Sequence, residues 1–143
     1  MTFSQHKVIK SLPPNFSDIV KVFSMARGQR VIFAYAPNIY TMGDTNLPPD
    51  LMAHESVHIE RQQVIGVKVW WDKYLTDPQF RYDEELLAHV AEYKQLCSML
   101  AVAAKREKAL KHVTNKLASG LYNNMVTPKM AREAILAGAR DGA

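Results

Sequence analysis

The sequence predicts a mostly helical α+β fold, several amphipathic helices around one small β element. Apolar residues recur at helical spacing through most of the chain, in segments bounded by proline, glycine and N-capping residues. One short run, Arg30-Val31-Ile32-Phe33-Ala34-Tyr35-Ala36, is instead β-branched and aromatic, which marks a strand. A length of 143 residues suits one domain with its own core. The 48% hydrophobic and 22% charged fractions are those of a folded globular chain and exclude a disordered one.

Each element follows from local chemistry. After the stop at Leu12-Pro13-Pro14, Asn15 or Ser17 caps a helix carrying Ile19, Val20, Phe23 and Met25 and ending at Gly28. The strand at Arg30–Ala36 leads through a Pro37-Asn38 turn into a second short strand, Ile39–Met42, closed by Gly43-Asp44. Pro48-Pro49-Asp50 opens a helix that runs to about Gly66, with prolines where a missing backbone donor matters least. Val69–Leu75 reads as a short helix. Asp77 then caps, and Pro78 begins, a long helix with Leu86, Val90, Tyr93 and Cys97 on one core-facing stripe. That helix continues, or breaks once near residues 98–104, into Lys105–Ser119, and Thr127-Pro128 starts a last helix to Gly138.

Several function classes fall away. The apolar run Cys97–Ala104 is far short of the roughly 20 residues of a membrane span. The first residues lack a basic stretch followed by an apolar one, so no secretory signal is expected. A single cysteine, Cys97, cannot form an internal disulfide and reads as a buried small hydrophobe. The net charge of +4 is uneven: residues 1–104 carry 10 basic against 11 acidic side chains, residues 105–143 carry 8 against 3. This asymmetry suits an anionic partner or simply a solvated lysine-rich helix, and no pattern of aromatics and glycines resembles a nucleic-acid module.

The chemistry lies in His54-Glu55-Ser56-Val57-His58, an H-E-x-x-H sequence. Histidines at i and i+4 share one helix face, so both rings can reach one ion. Zinc suits imidazole ligands with an open fourth position, and Glu55 between them can act as general base on a water activated there. The alternative is a pair of surface histidines. A third ligand is expected from the helix after Pro78, where Glu85, Ala88, His89 and Glu92 fall on one face. Glu85 is favoured. Glu84, about 100° round the helix, and His89, which would make a three-histidine site, remain alternatives. His6 and His112 are poorly placed. Trp70, Trp71, Tyr74 and Phe80 read as core rather than as a substrate pocket.

These motifs resemble a minimal gluzincin, a zincin metallopeptidase whose zinc is held by the two histidines of H-E-x-x-H and a glutamate from a later helix. In thermolysin-like and membrane-embedded relatives an acidic residue follows the ligand glutamate by four positions; Glu85 and His89 fill those two places here. The segment Trp70-Trp71-Asp72-Lys73-Tyr74-Leu75-Thr76-Asp77-Pro78-Gln79-Phe80-Arg81, followed by Glu85-Leu86-Leu87-Ala88, is similar to small phage-encoded peptidases. In those, W-W-x-x-Y-L-x-D-P-x-F-R separates H-E-x-x-H from E-L-x-A-Y, and His89 stands where they carry tyrosine. The resemblance runs from about Pro48 to Tyr93.

It implies a zincin-like packing of the H-E-x-x-H helix on the later ligand-bearing helix, and a zinc-dependent peptidase acting on a peptide or protein substrate. Zinc would sit on His54, His58 and Glu85, with Glu55 as base. His89, Tyr82 and Tyr93 are candidates for orienting a ligand or stabilising an oxyanion. Ile32, Phe33 and Ala34 would hold the substrate backbone as an added strand. Residues 1–104 would be the peptidase domain and residues 105–143 a basic helical extension, packed on it or docked on a partner. Leu110, Val113, Leu117 and Leu121 lie on one face of that extension, and its part beyond Gly120 is expected to contact another chain. The competing reading is a structural or adaptor protein of a phage particle on a zincin-like scaffold, with or without metal. Its partners would be phage structural proteins or further copies of the chain. Either reading places the protein in the host-cell cytoplasm or the virion.

Overall fold

The computed structural model describes residues 6–100, 102–119 and 124–141. Among them are three strands, β1 (Val8–Lys10), β2 (Ile32–Tyr35) and β3 (Asn38–Thr41). Six α-helices accompany them: α1 (Phe16–Val22), α2 (Pro49–Ile65), α3 (Val67–Thr76), α4 (Pro78–Met99), α5 (Ala103–Leu117) and α6 (Pro128–Asp141). The fold is therefore mostly helical with a small sheet, as the sequence pattern predicts. No described helix is long and apolar enough to cross a membrane.

The sheet order is β1-β3-β2, with β1 parallel and β2 antiparallel to β3. β1 has no counterpart in the sequence reading, because three residues carry no periodicity and their partner Ile39 lies some thirty residues downstream. The first helix is shorter than expected. Phe23 is extended and splits it into α1 and a 3-10 turn at Ser24–Arg27, and Asn15 makes no side-chain cap bond. One face of the sheet packs through Ala34 and Ile39 on Ile59 of α2. On the other, Phe33 joins Ile19, Ala26, Trp70 and Trp71 in a mostly aromatic cluster.

Gly66, at φ +101°, forms the corner between α2 and α3 in a conformation that other residues resist. The α3–α4 corner is fixed by Asp77, whose carboxylate accepts the backbone N–H groups of Gln79 and Phe80 at 3.0 and 3.2 Å. α2 and α4 then make the most extensive contact of any two described elements.

α4 is a wall between two interiors. Its expected stripe, Leu86, Val90, Tyr93 and Cys97, is half-buried. Leu86 and Tyr93 of that stripe pack with Tyr82 against Leu110, Val113 and Leu117 of α5 and Ala131 and Ile135 of α6. The deeper face is the polar one: Glu84, Glu85, Ala88, His89 and Glu92 are all buried. The chain breaks at Leu100, which is extended, before α5 begins. Gly138 does not end α6. A Cβ there would lie 2.7 Å from Val90 Cγ2, so this glycine lets α6 approach α4 closely, and the helix runs on to Asp141. Leu110, Val113 and Leu117 are buried within the chain itself; Leu121 lies outside the described residues.

Candidate metal centre

α2 and α4 bring the H-E-x-x-H histidines and Glu85 to one point. His54 Nε2 and His58 Nε2 are 3.3 Å apart, one helical turn separating the two rings. Glu85 faces both, with Oε1 2.5 Å from His58 Nε2 and Oε2 3.6 Å from His54 Nε2. One ligand atom from each of the three residues lies within 4.8 Å of the other two, a cluster able to hold a metal ion. Two imidazoles and a carboxylate, all turned inward with the cavity beside them, fit a borderline-soft divalent cation that keeps a position open.

The competing third ligands have other duties. Glu84 is buried and accepts hydrogen bonds from Trp70 Nε1 at 2.7 Å and Arg61 Nε at 3.0 Å, which ties α4 to α3 and α2. His89 lies over His54, ring centroids 4.6 Å apart, and its Nδ1 is 3.2 Å from Glu92. Burial lowers its pKa to about 4, against the opposing pull of Glu92, so His89 is neutral. Neither His6 nor His112 belongs to the cluster.

Glu92 is the group the linear motif conceals. His54 Nδ1–H donates to its Oε1 at 2.9 Å, which turns His54 Nε2 toward Glu85. The second oxygen of Glu92 accepts from Lys116 Nζ of α5 at 2.7 Å. A carboxylate behind a ligating imidazole fixes both the tautomer and the ring orientation. The orienting role expected at His89 is thus one turn further along α4, and a lysine from the basic extension neutralises it. His54, Glu92 and His89 form a second cluster of suitable spacing, but the Lys116 ammonium already supplies the positive charge there.

The charges follow this geometry. Burial alone would depress His54, but Glu85 and Glu92 outweigh it and hold its pKa at about 10. An ion arriving at Nε2 therefore displaces a proton. Burial works against an ionised Glu85, yet the two histidines hold it well below the ordinary carboxylate range. Glu55 shows the reverse balance: burial raises it despite His54 and His58. Its Oε2 is buried without a hydrogen-bond partner among the described residues.

A cavity of about 250 Å3 adjoins these groups, and His54, Glu55, His58 and Glu85 are among the residues that line it. Ile32, Phe33 and Ala34 of β2 line it, as do Trp70, Trp71 and Tyr74. Tyr74 is the tyrosine at the site. It stacks on Trp70 with centroids 4.8 Å apart, and burial, with the Glu85 carboxylate nearby, raises its pKa well above the usual phenol value. Tyr82 and Tyr93 instead pack toward α5 and α6 on the far face of α4 and do not line the cavity. Cys97, one turn beyond Tyr93, is half-buried. The i, i+4 spacing of Trp70 and Tyr74 was the available signal, since it places both rings on one face of α3.

No family model, curated protein or solved structure matches the chain.

Proposed function

We propose that the chain is a zinc-dependent metallopeptidase of the minimal gluzincin type, encoded by a phage. The observation that carries this reading is the convergence of His54, His58 and Glu85 on one point, with Glu55 buried and lining the same cavity, which β2 borders. A zinc ion held by those three residues would supply Lewis acidity, polarising a peptide carbonyl and making a water acidic at neutral pH.

The protein's own groups do the rest. Glu55, whose Oε2 has no hydrogen-bond partner among the described residues and whose pKa burial raises, accepts a proton from the attacking water and passes it to the leaving amine nitrogen. Tyr74, kept protonated, presents its hydroxyl where negative charge develops on the carbonyl oxygen. Glu92 and Lys116 hold His54 in register. β2 offers its outer edge to the substrate backbone. The adaptor reading draws on the basic, helical C-terminal quarter; the burial of Leu110, Val113 and Leu117 in the chain's own core favours the enzyme reading over a stripe that docks on a partner.

Two variants test it. The wild-type protein should carry about one zinc per chain, and His58→Ala should lose nearly all of it. Glu55→Gln should keep the zinc and lose peptide cleavage by several orders of magnitude, on the order of 10²–10⁴ for a missing general base. Equal, near-zero metal in wild type and His58→Ala would refute the zinc site. Loss of zinc in Glu55→Gln would make Glu55 a ligand.

A further inference from the structure

The helix α5 separates its residues sharply by face. Leu110, Val113 and Leu117 are buried against α4 and α6, whereas Lys105, Lys108, Lys111, His112 and Asn115 are exposed. At 100° per residue, all five exposed side chains start within about 70° of the direction opposite the buried face. The only acid of the helix, Glu107, turns aside to α6, where Arg132 Nη1 and Nη2 donate to its two oxygens. Two further cations of α5 are engaged elsewhere: Arg106 Nε donates to Leu100 O, and Lys116 Nζ to Glu92. The outward ridge thus carries three lysines, spread over about 9 Å of helix axis, that bond to no carboxylate among the described residues. The exposed side of α6 is mixed by comparison, with Glu133 between Lys129 and Arg140.

The ridge selects among anionic partners by what it lacks. A helix that lies on a membrane buries its apolar face in lipid, and the apolar face of α5 is spent on the chain's own core. An acidic protein partner would ordinarily be anchored by apolar or aromatic side chains, and α5 has no aromatic residue besides His112. Single-stranded nucleic acid is likewise held by rings on which its bases stack. A duplex asks for none of these. It presents one negative charge about every 1.7 Å along its axis, so a 9 Å row of lysines meets phosphates in any register. Lysine suits that task as a point charge on a flexible stem, and the ridge has no arginine to read guanine edges.

We propose that the outward ridge of α5 docks on the phosphate backbone of double-stranded nucleic acid without reading its sequence. Lys105, Lys108 and Lys111 each neutralise one phosphate, and His112 and Asn115 contribute further donors. The site needs neither the metal nor the cavity, so it stands apart from the peptidase reading.

Fluorescence anisotropy of the full chain on labelled 20-base-pair duplexes, two DNA sequences and one RNA, tests this. The two DNA sequences should bind alike, and comparison with the RNA duplex identifies which backbone is preferred. Affinity should fall about 40-fold between 50 and 200 mM salt, the response expected of three neutralised phosphates. Lys108→Gln alone should reduce that response to about 12-fold. The triple variant Lys105→Gln, Lys108→Gln, Lys111→Gln should abolish binding. A control with the same change in net charge, Lys21→Gln, Lys68→Gln, Lys73→Gln, alters exposed lysines of α1 and α3 and should bind as wild type does. Equal losses in the two triple variants would overturn the ridge and leave only net charge. Duplex binding that survives the ridge variant overturns the proposal, as does tighter binding to polyglutamate or to phosphatidylserine–phosphatidylcholine vesicles than to any duplex.

Discussion

At the scale of single residues, the centre depends on a contact that no local pattern contains. His54 takes its orientation from Glu92, and Glu92 takes its counter-charge from Lys116, 24 residues further on. Losing such an orienting carboxylate ordinarily weakens a metal site about 10–100-fold. On the zinc reading proposed above, Glu92→Ala should therefore raise the metal's dissociation constant by that factor in a chelator competition. Lys116→Met should raise it less, because Lys116 is a third exposed and water can partly replace it. Unchanged affinity in Glu92→Ala would mean that His54 is held by packing alone. The histidines, Glu55 and Glu85 were readable in the sequence because helical spacing fixes which side chains share a face. Glu84 against Glu85 was a matter of 100° of rotation, and Trp70 and Arg61 decide it by claiming Glu84. Tyr74 was masked by its neighbours: in a segment so rich in rings, burial is the simpler account of any one of them.

At the scale of elements, helices bounded by strong signals were legible and weakly bounded ones were not. Pro49, Gly66, Asp77 and Pro78 each stand at a terminus the structure also places there. Gly138 had the composition of a stop but serves close packing, a distinction that only the neighbouring helix can make. An alanine at 138 would gain about 1 kcal/mol of helix propensity. It would also press its Cβ on the stiff, branched Val90, and overpacking of that kind costs about 1–3 kcal/mol. Gly138→Ala should thus be destabilising, by up to about 2 kcal/mol, in denaturant unfolding; a gain in stability would show that α6 can slide away from α4. The stripe on α4 was also only half the story. Apolar periodicity found the face toward α5 and α6, whereas the more deeply buried face carries carboxylates and imidazoles, which a search for apolar repeats passes over.

At the scale of the whole molecule, α4 serves two interiors at once, the polar one against α2 and the apolar one against α5 and α6. The basic C-terminal quarter is joined to the rest through both, by the Leu110–Val113–Leu117 packing and by the Lys116–Glu92 ion pair. Deleting residues 105–143 should therefore expose the apolar face of α4 and weaken zinc binding together; a folded remainder with undiminished zinc affinity would mean that the extension is a separate arm. The chain's two tryptophans, adjacent in α3, both sit on the α2 side of that wall: Trp70 edges against His58 with centroids 5.3 Å apart, and Trp71 grips β2. Ultraviolet emission from this protein thus comes from the neighbourhood of the cavity and from nowhere in α5 or α6. On heating, emission and the helical circular dichroism signal should fall in a single step if α4 binds the two interiors into one cooperative unit. A dichroism loss that precedes the emission change would reveal helices melting out of the indoles' sight.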